Sequence, residues 1–189
     1  SESHYGEICS THTYSDRVET LNAARKNGIG TCSGLIVGMG EQTADLVEVA
    51  FKLRELEVPS IPVNFLIPIE GNPVLSDGSL TPERCLRALC LVRLVNPSAE
   101  VRVAAGREGH LRSLGALALW PANSLFIEGY LTTRGDDERD TYRLIQEAGF
   151  EVEGNPSWQA LQDAPEPAGA GVEGFRLQGG AGEILKPEI

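Results

Sequence analysis

Four residues fall where ordinary folding does not require their chemistry. Arg102 interrupts the apolar run Val101-Arg102-Val103-Ala104-Ala105. Burying an unpaired guanidinium costs several kcal/mol. Arg102 therefore either leaves the sheet at a strand end or faces a polar site, and a parallel sheet covered on both faces favours the second reading. Asn64 stands between Val63 and Phe65 in another apolar stretch. A buried amide must be hydrogen-bonded, so Asn64 either recognises a ligand or ties down a neighbouring loop. Ser60 has the same parity four residues earlier and faces the same side. Cys32 shares the parity of Gly34 and Ile36; taken alone, a strand cysteine reads as a packing residue.

The stretch Gly34-Leu35-Ile36-Val37-Gly38-Met39-Gly40-Glu41 lies where a strand passes into a helix. Glycines there let a ligand approach the backbone, and the following helix offers its N-terminus. As a dinucleotide fingerprint the stretch fails, because Thr43 holds the third glycine's place. A tight turn needing positive φ explains the glycines equally well. Arg107-Glu108 follows the Arg102 strand, where a barrel carries its active-site loops; a surface ion pair of little energy is the competing reading. Thr132 and Thr133 either offer hydroxyls to an oxyanion or, with Asp136, cap the last helix. His110 has no evident nucleophile partner, so no triad is assigned. Cys85 and Cys90 are five apart on one helix, about 140° around it, and both read as packing residues. Cys9 has no ligand partner in view.

An alternation of helices and strands has to hold these groups. Thr13-x-x-Asp16 is a capping box that opens a helix over 14–27, which Gly28 closes. Strands are expected over 29–37, 61–67, 100–105 and 124–127. Further helices are expected over 43–56, 81–96, 111–119 and 136–148. Thr81-Pro82-Glu83 supplies an N-cap, a proline at the first helical position and an acid in the first turn. Four strands, each followed by a helix, give an α/β protein with a parallel sheet. Four βα units are half of an eight-stranded barrel or a small open sheet, and a chain that opens on a helix midway through the alternation looks cut. Residues 1–156 form the domain; 157–189, rich in Ala, Gly, Pro and Glu, read as a disordered or loosely attached tail.

Composition narrows the class. The 189 residues carry a net charge of −11, which disfavours a nucleic-acid partner. No stretch approaches the roughly 20 apolar residues that cross a bilayer, so no membrane role is expected. Ser1-Glu2-Ser3-His4 has neither the basic nor the apolar part of a secretory signal, so a cytoplasmic protein is expected. The four cysteines contain no Cys-x-x-Cys, which argues against a zinc ribbon or a dithiol. Most are expected to be buried.

Several stretches, taken in order, resemble the biotin synthase family over nearly all of residues 1–160. They include Ser10-Thr11-His12-Thr13-Tyr14-Ser15-Asp16-Arg17, Cys32-Ser33-Gly34-Leu35-Ile36-Val37-Gly38-Met39-Gly40-Glu41, Val63-Asn64-Phe65-Leu66 and Arg93-Leu94-Val95-Asn96-Pro97. Ala105-Gly106-Arg107-Glu108, Ala122-Asn123-Ser124-Leu125-Phe126 and Tyr130-Leu131-Thr132-Thr133 complete the set. The resemblance implies the C-terminal half of a TIM-type (β/α)8 barrel from a homodimeric radical S-adenosylmethionine enzyme. Such an enzyme splits S-adenosylmethionine at a 4Fe-4S cluster and inserts sulfur from a 2Fe-2S cluster into dethiobiotin.

By the same resemblance, Cys32 and Arg102 are ligands of the 2Fe-2S cluster, with Ser60 and Ser124 behind them. Arg17, Gly34, Ile36, Gly38 and Glu41 lie on S-adenosylmethionine, with Arg17 paired to its carboxylate. Asn64, Thr132 and Thr133 lie on dethiobiotin. The Cys-x-x-x-Cys-x-x-Cys motif that binds the 4Fe-4S cluster is absent from the sequence, and Leu35 replaces a glycine usual in its turn. The expectation is that this chain alone is inactive, exposes an apolar half-barrel edge and pairs with a missing N-terminal half. Two other readings stand beside this one: another radical enzyme of the same branch, or a non-catalytic α/β binding module with Gly38–Glu41 as a nucleotide turn.

Overall fold

The sheet is built from four short parallel strands laid side by side in chain order: β1 (Leu35–Val37), β2 (Ser60–Phe65), β3 (Glu100–Val103) and β4 (Ser124–Leu125). The computed structural model describes residues 1–69, 71, 78, 80–127 and 135–153. Two helices precede β1: α1 (Glu2–Ile8) and α2 (Tyr14–Lys26). Then α3 (Thr43–Glu55) joins β1 to β2, and α4 (Pro82–Val95) joins β2 to β3. Between β3 and β4 run α5 (Arg107–Leu111) and a 3-10 segment (Arg112–Leu119), and α6 (Glu138–Glu147) follows β4. Side-by-side parallel strands with intervening helices make an α/β fold, an arrangement that a partial α/β barrel and a small open sheet share.

Strand parity divides the sheet. Val37, Ile61, Val63, Phe65, Val101 and Val103 point to the helices and are at most 1% exposed. They pack with Leu46 and Leu53 of α3, Leu89 and Val92 of α4, and Leu111 of α5 in one core. The alternate residues form the other face, which no helix covers to the same degree: Ile36 is 42% and Phe126 40% exposed. The expectation of a sheet covered on both faces is corrected here.

Local signals explain most of the elements. The Thr13 hydroxyl accepts from the Asp16 backbone N–H while the Asp16 carboxylate accepts from the Thr13 N–H, so the capping box is complete. Thr81 caps α4 with Pro82 at its start. At the other end of α4, the Arg93 guanidinium donates to the carbonyls of Pro121 at 2.7 Å, Pro97 at 3.1 Å and Ala99 at 2.9 Å, and to Asn123 Oδ1 at 2.6 Å. Asn123 Oδ1 also accepts from the Val101 N–H at 2.9 Å. Asn96 Nδ2 donates to the Ala50 carbonyl of α3 at 3.1 Å. These side chains bind α3, α4, β3 and β4 together at the N-terminal end of the strands.

Four expectations change. Helix α1 was not foreseen: Ser1 caps it, and the Glu2 N–H donates to Glu48 of α3 at 2.7 Å. Strand β1 occupies only 35–37 of the expected 29–37; Cys32 makes an isolated bridge to Ser60, and Ile29 is 61% exposed. Glycines at 28, 30 and 34 weaken that run, and Pro62 has no N–H to give the ladder opposite Gly34. The helix expected over 111–119 begins at Arg107 and turns at Arg112 (φ +51°) into a 3-10 segment with Gly115 inside it. Of the cysteines only Cys85 is buried; Cys9 is half-buried, and Cys32 and Cys90 are exposed. The tail expected from 157 lies outside the described residues.

Candidate functional site

The uncovered face gathers most of the singled-out residues. Parallel register sets Cys32 beside Ser60, Ser60 beside Glu100, Arg102 beside Ser124 and Ile36 beside Asn64. Alternation then brings Cys32, Gly34, Ile36, Ser60, Asn64, Arg102 and Ser124 to one side. Gly34 is required by contact: a Cβ there would lie 1.8 Å from the Pro62 carbonyl oxygen.

Arg102 is neither free nor fully paired. Its Nη2 donates to Glu100 Oε2 at 2.9 Å, and its guanidinium carbon lies 5.9 Å from the centre of the Phe126 ring. Its Nε is buried without a hydrogen-bond partner among the described residues, as is Ser60 Oγ. The side chain is 33% exposed, so the expectation of a buried strand arginine is corrected to one at the rim of an open face. Hydrogen bonding to Glu100 raises its pKa, and Cys32 adds an electrostatic contribution in the same direction. The Arg102 guanidinium, helped by the Ser124 hydroxyl, in turn holds the Glu100 carboxyl below its ordinary range.

The remaining residues have varied surroundings. Asn64 Nδ2 donates to the Leu35 carbonyl at 3.3 Å, and its Oδ1 accepts from the Ala105 N–H at 3.2 Å. It therefore ties the ends of β1 and β3 to β2. The Glu41 carboxylate, 6% exposed, accepts from the N–H of Gly38 at 2.9 Å and Met39 at 2.7 Å, and pairs with Arg84 at 3.0 Å. It folds the turn after β1 onto α4 from within. Arg17, Cys32, Gly34, Ile36 and Asn64 all line one cavity of about 490 Å³, which α1 and α2 close from the side. Thr132 and Thr133 lie outside the described residues.

One alternative read from the sequence is corrected, and His110 finds a structural partner. Arg107 is buried, not a surface ion-pair member: its Nη2 donates to Thr141 Oγ1 at 2.9 Å and lies 3.3 Å from Glu108. Buried His110 holds the Leu66 carbonyl at 2.9 Å through Nε2, a structural bond. Sequence reasoning also missed a contact near the cavity mouth, where Cys9 Sγ lies 3.5 Å from His12 Nδ1.

Of the donors on the open face, one is a cysteine sulfur and one a guanidinium. A thiolate sulfur is a soft ligand, and the guanidinium keeps an unpartnered Nε. No group of three or more His, Cys, Asp or Glu side chains among the described residues is arranged to hold a metal ion, so these residues present at most part of the ligand set of an iron–sulfur cluster. Among the described residues no helix is long and apolar enough to cross a membrane.

Comparison with known proteins places the sequence among relatives of one name. Residues 62–151 match the family model described as "Biotin and Thiamin Synthesis associated domain". The chain is 61% identical over 157 residues to a biotin synthase of Acaryochloris marina, covering 83% of this chain and 45% of that protein. It is 57% identical over 150 residues to a biotin synthase of Leptospira interrogans, covering 79% of this chain and 43% of that protein. A protein named biotin synthase 2 from Frankia casuarinae is 51% identical over 184 residues, 97% of this chain and 50% of that protein. The chain thus spans about half the length of the relatives it matches, and it corresponds to their C-terminal part.

Proposed function

The chain belongs to the biotin synthase family as a counterpart of its C-terminal part, and on that premise we propose that it walls the site where a radical S-adenosylmethionine enzyme inserts sulfur into dethiobiotin. The observation that carries this reading is the open face that Cys32 and Arg102 share, where the buried Arg102 Nε has no hydrogen-bond partner among the described residues.

In this reading Cys32 and Arg102 would hold a 2Fe-2S cluster, which when bound supplies the sulfur atom. Glu100 holds the Arg102 guanidinium through Nη2, and Nε keeps no hydrogen-bond partner among the described residues. Ser60 would donate its hydroxyl, and Ser124 adds to Arg102 in lowering the Glu100 pKa. S-adenosylmethionine would lie along Gly34, Ile36 and the Gly38–Glu41 turn, with its carboxylate on Arg17. Glu41 acts there through the turn it braces rather than by touching the ligand. Asn64 would steady dethiobiotin through the strand ends it joins, and Thr132 and Thr133 would receive the carboxylate end. The cavity walls of Val18, Leu21 and Leu35 would keep water from the reacting carbon. The rest of the barrel, including the 4Fe-4S ligands, a homodimer and a cytoplasmic setting complete the reading.

The test joins this chain to the N-terminal part of the Acaryochloris marina relative and reconstitutes it anaerobically with iron and sulfide. Biotin is expected from the joined protein and none from the chain alone. Arg102→Met and Cys32→Ser are each expected to lower biotin yield at least tenfold. An undiminished yield in both variants, or turnover by the isolated chain, would overturn the proposal.

A further inference from the structure

At the mouth of the cavity, four side chains outside the sulfur-insertion reading form one linked group. Cys9 Sγ lies 3.5 Å from Thr11 Oγ1 and 3.5 Å from His12 Nδ1. The Tyr5 hydroxyl lies 2.8 Å from His12 Nε2, and the two rings meet edge to face with centres 5.8 Å apart. Tyr5 packs in the same way on Tyr14, whose hydroxyl is buried without a partner. Cys9, Tyr5, Tyr14 and Arg17 all border the 490 Å³ space.

The group is linked through hydroxyls and ring nitrogens. Burial and the neighbouring Cys9 raise the Tyr5 pKa, and the Tyr5 hydroxyl meets His12 Nε2. His12 Nδ1 also lies 2.9 Å from Thr11 Oγ1, so the threonine hydroxyl stands between the imidazole and the sulfur. The Thr11 hydroxyl, with the backbone N–H groups of Thr11 and His12, holds the Cys9 thiol below its ordinary range. A thiolate with donors around it is the nucleophilic form of cysteine.

We propose that Cys9, with His12 beside it and Arg17 on the same wall, is a nucleophilic thiol that captures small carboxylate-bearing disulfides. The Cys9 thiolate attacks one sulfur of the disulfide. That S–S bond breaks, a new one forms at Cys9, and the other half leaves as a thiolate that takes a proton from water. Cys9 is oxidised to the mixed disulfide as the small disulfide is reduced to one thiol. Arg17 attracts the carboxylate, and the added group fills the cavity mouth.

The chain itself provides the test, with no assembled enzyme required. Limiting iodoacetamide near pH 7, followed by peptide mass spectrometry, is expected to label half-buried Cys9 about tenfold faster than exposed Cys90. Exposure alone predicts the reverse order. Glutathione disulfide is expected to form its adduct at Cys9. His12→Gln is expected to slow both reactions at Cys9 severalfold and leave Cys90 unchanged. Arg17→Gln is expected to slow the glutathione reaction and not the neutral alkylation. Labelling of Cys9 no faster than Cys90, or an absence of glutathione adduct at Cys9, would overturn the proposal.

Discussion

On the helix side of the sheet, six consecutive inward residues of β1, β2 and β3 are at most 1% exposed. On the other side, the residues between them leave Ile36 and Phe126 about two-fifths exposed, and leave Ser60 Oγ and Arg102 Nε without partners. The same strands carry both sets. Burying an aliphatic side chain contributes about 1.5–3 kcal/mol, so the stability of the sheet resides on its helix face. The open face is released from that duty and can hold groups chosen for binding.

The contrast predicts unequal responses to substitution. Val63→Asp would bury an uncompensated carboxylate in the core. It is expected to leave the chain unfolded under native conditions, with loss of the cooperative thermal transition, because a domain holds only about 5–15 kcal/mol in total. Glu41→Ala would strand two N–H groups and Arg84 and should cost about 3 kcal/mol by urea denaturation. Gly34→Val, on the open face yet pressed against the Pro62 carbonyl, should cost about 1–3 kcal/mol. Arg102→Met should change stability by less than about 1 kcal/mol, since the pair it breaks is partly exposed. A large cost for Arg102→Met would break the comparison between faces.

The smallest expected effect is acid-dependent. Backbone hydrogen bonding to Thr13 holds the Asp16 carboxyl low, and the Ser1 hydroxyl does the same for Asp45. A carboxyl whose folded pKa is depressed stabilises above its unfolded value of about 3.9 and loses that contribution as pH falls through the folded value. Urea midpoints should therefore stay level from neutral pH to about pH 4 and decline below it, and the decline should be shallower in Asp16→Asn and Asp45→Asn.

The sequence made some of this legible. The capping box at Thr13, the Thr81-Pro82 start of α4 and the helix–strand alternation depend on neighbouring residues, and they appear as read. Strand parity also foretold that Ser60 and Asn64 share a side. Exposure of the open face was not legible, because it depends on what covers the sheet rather than on the strands. The length of β1 was missed because Pro62, far along the chain, removes a donor opposite Gly34. Glu41 looked like a ligand contact, yet its three partners come from its own turn and from α4. The Cys9–His12 contact depends on the loop between α1 and α2, and nothing in the spacing alone fixes that loop's path.

The Arg93 fork has a consequence for the last strand of the sheet. One planar group reaches three carbonyls and the Asn123 side chain on both sides of β3, and a lysine could not replace it because its ammonium is a point donor. Strand β4 is two residues long and has little ladder of its own, so its place in the sheet leans on the last turn of α4. In Arg93→Lys the Phe126 amide, which donates to the Val103 carbonyl at 3.1 Å, should exchange with solvent deuterium by local opening while the amides of β2 remain slow.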